Sequence, residues 1–224
     1  MQSMIGSSIP ASRRRLALGV ALATIVAYFL IVFLRLSFDF STSLVLFSTL
    51  VLVWLCEGDL TSLGLRWSPR QGWRLWIRWA WRILMLLGVA LIIGFGVARL
   101  IGYEFPIITT PPRLAAWRFV WMCIYAPLLE ELLFRFILCV PHSRFWGGWT
   151  AIAISGTLFA FVHMAYGIAS PENLLAGFFL AWAYLKSESL VIPILLHASG
   201  NFLALLAQLA GWYLVHSSNT FVVL

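Results

Sequence analysis

From Leu16 to Leu34 the chain runs 19 residues without a charged side chain, directly after Arg13, Arg14 and Arg15. As a helix rising about 1.5 Å per residue, that stretch crosses the roughly 30 Å hydrocarbon core of a bilayer. Hydrocarbon offers the backbone no hydrogen-bond partners, so such a span has to be helical, and the chain's options narrow to membrane architectures. A cleaved secretory signal begins in a similar way, but no small-residue cleavage site follows, so the segment reads as a retained anchor. Further apolar stretches lie at about Thr42–Cys56, Ile83–Ile101, Arg118–Val140, Trp149–Tyr166, Asn173–Leu185 and Leu190–Leu209. With 62% hydrophobic and 10% charged residues, the sequence predicts an all-α polytopic membrane protein. Six to eight transmembrane helices are expected, in a single membrane domain over residues 1–224, with no internal repeat and no linker between soluble domains.

The net charge of +7 does not point to nucleic acid, because the basic residues flank apolar spans and do not gather on a soluble face. Arg66, Arg70, Arg74, Arg78 and Arg82 recur every fourth residue among Trp73, Trp76, Trp79 and Trp81. That pattern predicts an Arg/Trp-rich interfacial helix on the cytoplasmic face, anchored in the headgroup layer. With Arg13 to Arg15 on the same side the N-terminus is cytoplasmic, and Arg99, Arg113 and Arg118 then fall outside. A bacterial inner membrane is the expected location. Cys56, Cys123 and Cys139 lie in or beside apolar runs and form no CxxC pair, so neither a disulfide framework nor a cysteine metal site is expected.

Against this background APLLEELLFRFIL, Ala126 to Leu138, is costly. At a helix centre Glu130, Glu131 and Arg135 together cost roughly 7 to 10 kcal/mol on the insertion scale, more than the surrounding Leu, Ile, Phe and Val return. Their charges must face partners or a watered cavity, and intramembrane ionisable groups of this kind mark functional sites. Glu131 and Arg135 stand four apart with the acid N-terminal, the favoured order for an intrahelical ion pair. Glu130 points about 100° away, which leaves it as the acid able to take a proton. Pro127, just before the pair, removes a backbone donor and predicts a local kink.

Two later spans carry polar groups at helical spacing. Phe159 and His163 share a face in TLFAFVHMAYG, as do His197 and Asn201 in PILLHASGNFLALL. His142, after Pro141 in an expected loop, and His216, in the tail, read as solvent-facing.

Taken in order, EELLFR, FAFVH and HASGN resemble the EExxxR, FxxxH and HxxxN motifs of the CPBP family, the CAAX-protease and bacteriocin-processing intramembrane endopeptidases. The resemblance covers about Arg113 to Leu209, the expected catalytic core. It implies that Glu130, Glu131, Arg135, His163, His197 and Asn201 form the active site of a peptide-bond hydrolase. A glutamate in a partly dehydrated cavity is a suitable base for water. His197 and the Asn201 amide would stabilise the oxyanion, and His163 would hold the water beside Glu130. A metal-free mechanism with no required cofactor is the expectation; zinc held by His163, His197 and Glu130 is the alternative, since three protein ligands suffice for catalytic zinc. The expected partners are a membrane-tethered peptide or protein and the lipid bilayer, with no nucleic acid. The resemblance allows prenylated C-terminal peptides, leader peptides, or the membrane-anchored sorting tails of exported proteins.

Two other classes of function compete. A proton-coupled transporter would also bury Glu and His, but would show repeated halves. A catalytically inactive scaffold or immunity protein would keep the fold without depending on Glu130. With straight spans, His163 falls near the outer end of its helix and His197 about two turns from the inner end of its own, so an assembled site requires broken or tilted helices.

Overall fold

The computed structural model describes residues 5, 7, 9–102, 108–167 and 171–218. Among these it is helical, with no strand. In chain order the helices are α1 (Arg14–Phe33), α2 (Phe38–Leu55), α3 (Trp73–Leu100), α4 (Ala115–Phe119), α5 (Ala126–Glu131), α6 (Val140–Trp146), α7 (Gly148–Ala165), α8 (Pro171–Ser187) and α9 (Val191–Ser218). Two π-helical stretches, Val120–Tyr125 and Leu132–Cys139, join α4 to α5 and α5 to α6. Among the described residues, four helical segments are long and apolar enough to cross a bilayer: Ala11–Phe33, Phe38–Leu55, Gly148–Ala165 and Val191–His216. The protein is an integral membrane protein.

The Arg/Trp-rich segment is not a separate helix. Pro69 and the left-handed Gly72 (φ 77°) precede α3, so Arg74, Arg78 and Arg82 ride on its first turns while Arg66 and Arg70 lie ahead of it in a turn region. The proposed stripe of five arginines on one helix face is therefore broken after the second.

The chain packs as two compact units, one built from the chain up to Arg70 with Ala126–Leu195, the other from Gln71–Tyr125 with the chain from Leu196. In the first unit, α1 and α2 meet through small side chains. Ala17, Ala21 and Thr24 of α1 and Ser41, Val45 and Ser48 of α2 are buried, and Thr24 Oγ1 donates to Ser48 Oγ at 2.7 Å. In lipid, where apolar side chains gain little by leaving one neighbour for another, such close approach and shared hydroxyls are what hold helices together. α7 and α8 come closer still. A Cβ on Gly156 would sit 2.4 Å from the Phe178 ring, and one on Gly177 would sit 3.0 Å from the Gly156 carbonyl oxygen.

A second fastening closes the turn between α8 and α9. Glu188 has a left-handed backbone (φ 52°), which a non-glycine residue adopts only at a cost. The segment after α2 holds it there. Arg70 Nη1 meets Glu188 Oε1 at 2.8 Å and Arg66 Nη2 meets Oε2 at 3.5 Å. The Arg70 and Leu190 backbone amides donate to Ser187 and Gly64, both at 2.8 Å, Ser189 Oγ donates to the Arg66 carbonyl at 2.7 Å, and the Tyr184 hydroxyl donates to the Leu63 carbonyl.

The second unit contains α3, the chain from 108 to Tyr125 and most of α9. Thr110 pairs with Gln208 through both backbone and side chain, and Phe119 meets Phe202 edge to face.

Glu188→Ala removes the acceptor shared by two arginines while keeping the strained backbone. We expect a loss of about 1–3 kcal/mol, read as a lower melting temperature in detergent, with Glu188→Gln losing less. An unchanged melting temperature for Glu188→Ala would show that the backbone bonds alone hold the turn.

Candidate active site

The two adjacent acids of α5 have different surroundings. Glu131 and Arg135 are both fully buried, with Arg135 Nε 2.9 Å from Glu131 Oε2. The separation suits a charge-assisted bond, but the geometry does not meet that of a hydrogen bond, so the contact is best described as an ion pair. The guanidinium lies 4.7 Å from the centre of the Phe159 ring and 5.8 Å from that of Phe134, and its Nη2 donates to the Gly177 carbonyl at 3.4 Å. Planar, delocalised and weakly hydrated, arginine suits this setting better than lysine would.

Glu130 is only partly buried and turns the other way. Its Oε2 stands 3.9 Å from His163 Nε2 on α7. The other ring nitrogen of His163, Nδ1, lies 3.0 Å from the Phe159 carbonyl oxygen, and the ring stacks on Phe159 at 4.2 Å. A carbonyl can only accept, so Nδ1 carries the proton, and in the neutral imidazole Nε2 offers its lone pair towards Glu130.

The π-helical stretch over Leu132–Cys139 shifts the carbonyls off α-helical register, and neighbouring side chains take them up. Ser155 Oγ donates to the Phe134 carbonyl at 2.8 Å, with Cys139 Sγ 3.4 Å from the same oxygen. π-Bulges recur at functional sites because they let one helix aim successive side chains at different neighbours. Here Glu130 and Arg135, five residues apart, face α7 and the α7–α8 crossing.

The remaining two expected site residues, His197 and Asn201, lie on α9 in the second unit and are half-buried. The Asn201 amide nitrogen donates to the Met122 carbonyl at 2.6 Å. Met122 belongs to the π-helical stretch Val120–Tyr125, where a carbonyl pairs with the N–H five residues on. Five residues after Met122 stands Pro127, which has no N–H. Asn201 thus supplies a donor that proline withholds, and it keeps one further amide hydrogen. The kink expected at Pro127 takes the form of this register change.

Sequence reasoning missed Tyr28 and Tyr166. The two hydroxyls hydrogen-bond to each other, both within electrostatic reach of Glu130. Tyr28 stands four residues after Thr24 and Tyr166 three after His163, so each had a helical spacing to a polar group, but neither spacing points to the other tyrosine. His142 is a correction. It is buried on α6, its Nδ1 2.7 Å from the Leu138 carbonyl oxygen, because Pro141 stands in the first turn of that helix, where proline needs no N–H and starts a helix instead of a loop. His216 is exposed, stacked on Trp212.

Catalytic zinc takes three protein ligands. Glu130 and His163 converge while Glu131 is held by Arg135, and among the described residues no group of three or more His, Cys, Asp and Glu is placed to hold a metal ion. Glu130 and His163 are the two donors of the zinc alternative that lie in the first unit; His197, the third, lies on α9 in the second.

Residues 112–203 match the family model of type II CAAX prenyl endopeptidase Rce1-like proteins, which is the CPBP family of the motif resemblance. All six expected site residues fall inside that segment. The chain is also 38% identical over 87 residues to an uncharacterized 24.3 kDa protein of Escherichia coli, an alignment covering 37% of this chain and 40% of that one. The match thus spans well under half of that relative's length. No solved structure matches the chain significantly.

Arg135→Ala leaves a buried carboxylate without its cation, and we expect a loss of about 3–5 kcal/mol or failure to fold. Arg135→Lys should recover little, because an ammonium cannot lie flat between two rings. Glu131→Leu combined with Arg135→Met should melt far closer to wild type than either single change. Equal melting temperatures for Arg135→Ala and wild type would deny the pair its structural role.

Proposed function

We propose that this protein is an intramembrane endopeptidase that hydrolyses a peptide bond in a membrane-associated substrate, with Glu130 as the base that activates water. The observation that carries the proposal is the facing pair of Glu130 Oε2 and His163 Nε2, 3.9 Å apart, inside the segment similar to CAAX endopeptidases. Both atoms are acceptors when the histidine is neutral. A water about 2.8 Å from each would subtend an angle of about 90° at its oxygen, close enough to the angle between its O–H bonds to donate to both.

In the reaction, Glu130 takes one proton as the water oxygen bonds to the scissile carbonyl carbon, and the carbonyl electrons move onto oxygen. Collapse of the tetrahedral intermediate re-forms the carbonyl and breaks the C–N bond. The proton held by Glu130 passes to the departing amine, leaving a carboxylic acid and an amine as products. Glu131 and Arg135, neutral as a pair, add no net charge beside the base. Following the family motifs, His197 and the second amide hydrogen of Asn201 serve as oxyanion donors. The substrates the resemblance allows share a peptide bond close to a membrane anchor, and the chemistry requires no more than that.

Cleavage of a lipid-anchored peptide by purified protein in detergent tests this reading. We expect Glu130→Gln to lower the rate by on the order of 10³ and His163→Ala by about 10², with melting temperatures near wild type and no effect of a strong chelator. Loss of activity to the chelator, restored by zinc, would recast Glu130 and His163 as metal ligands. Undiminished cleavage by Glu130→Gln would sink the assignment and favour a non-catalytic membrane scaffold.

A further inference from the structure

The charges of the first unit gather at one end. The arginines at 13–15 begin α1, and Arg13 reaches Glu57 just after α2 at 3.5 Å. Arg66 and Arg70 hold Glu188 at the end of α8, and Arg144, at the end of α6, lies within electrostatic reach of both Arg14 and Glu188. Lys186 closes α8 at the same end. Among the described residues, the opposite end of the unit presents one base, Arg35 in the turn between α1 and α2, with Asp39 beside it. Seven basic residues at one end against one at the other is the asymmetry that places an end in the cytoplasm.

Glu130 and His163 lie far from that end. His163 is roughly 22 Å along α7 from its start at Gly148, and only about 5 Å short of Tyr166 at its finish. Tyr28, near Glu130, stands roughly 21 Å along α1 from Arg14. An extended peptide entering from the arginine-rich end would have to bring about six residues of unpaired backbone across that distance. Two residues suffice from the other side. Tyr166, half exposed, lies on that shorter route.

We infer that the Glu130–His163 pair is reached from the extracytoplasmic face, and that its substrate class is the outer juxtamembrane segment of an exported, membrane-anchored polypeptide and not a cytoplasmic prenylated tail. The substrate half of this inference rests on the endopeptidase reading; the sidedness rests on the first unit's geometry alone.

Two measurements separate these halves. Full-length protein with its three cysteines replaced by serine, carrying Tyr166→Cys or Arg15→Cys, is treated in intact cells with a membrane-impermeant maleimide. Tyr166→Cys should label in intact cells and Arg15→Cys only after permeabilisation; the reverse pattern overturns the sidedness. Wild type and Glu130→Gln are then compared in right-side-out and inverted membrane vesicles, given from outside a lipid-anchored peptide too charged to cross. Glu130-dependent cleavage at least tenfold faster in right-side-out vesicles is the expected result. Cleavage confined to inverted vesicles overturns the inference while leaving the endopeptidase intact. Cleavage in neither, with Tyr166→Cys labelled from outside, overturns the substrate half and the endopeptidase reading together but not the sidedness.

Discussion

An arginine and a glutamate with no exposed surface, inside a membrane protein, set the terms for everything packed around them. Neither ion has water to fall back on, and an ion pair in a dry interior is stable only if its geometry is good and its other polar atoms are served. The first unit serves one end of the guanidinium, while among the described residues Arg135 Nη1 has no hydrogen-bond partner and the contact with Glu131 is an ion pair without hydrogen-bond geometry. α7 contributes the face of Phe159, and α8 contributes the Gly177 carbonyl. Each contribution requires helices closer together than side chains normally permit. The two glycines at the α7–α8 crossing follow from that demand, since a Cβ on either would collide with an aromatic ring or with backbone. Glycine costs a helix about 1 kcal/mol relative to alanine, which here is set against access to a backbone acceptor for Arg135.

The π-helical stretch around the pair belongs to the same logic. A regular α-helix would place Glu130, Glu131 and Arg135 on fixed bearings, and the carbonyls of the turn would be spent within the helix. In the shifted register the Phe134 carbonyl accepts from the Ser155 hydroxyl, with the Cys139 thiol beside it. At the other π-helical stretch a proline and an asparagine solve the equivalent problem, with the Asn201 amide standing in for the N–H that Pro127 lacks. The asparagine that the family resemblance implies as an oxyanion donor therefore has a structural duty as well, and its two amide hydrogens leave room for both.

Much of this was legible in the sequence where periodicity and cost carry the signal. The apolar runs located the helices: α1, α2, α7 and α8 begin and end within about four residues of theirs, whereas α3 starts ten residues before its run, α9 ends nine after its own, and the run Arg118–Val140 is divided among α- and π-helical stretches. The insertion penalty singled out Glu130, Glu131 and Arg135, and the i,i+4 rule paired the right two. What stayed hidden depends on partners distant in sequence. Pro69 and Gly72 divide Arg66 and Arg70 from Arg74 and Arg78, but nothing local shows that the first two are held by Glu188, more than a hundred positions on. His142 was misjudged because proline marks a helix start as readily as a loop. Tyr28 and Tyr166 stand 138 positions apart, and nothing local in either stretch points to the other.

The fixed pair bears on chemistry through what it does not do. A single glutamate beside an arginine would be held as its counter-ion, and a base locked into an ion pair is a poor acceptor of protons. A second, adjacent glutamate removes that conflict by dividing the work according to burial. Glu131, fully buried, is bound to the arginine; Glu130, with a fifth of its side chain exposed, faces a histidine at a distance too long for a hydrogen bond and suited to an intervening water. On the proposed reading, the first acid neutralises the arginine and the second serves as the base. Adjacency in sequence is what makes the arrangement economical, because consecutive residues on a helix point about 100° apart and so reach two environments from one turn of backbone.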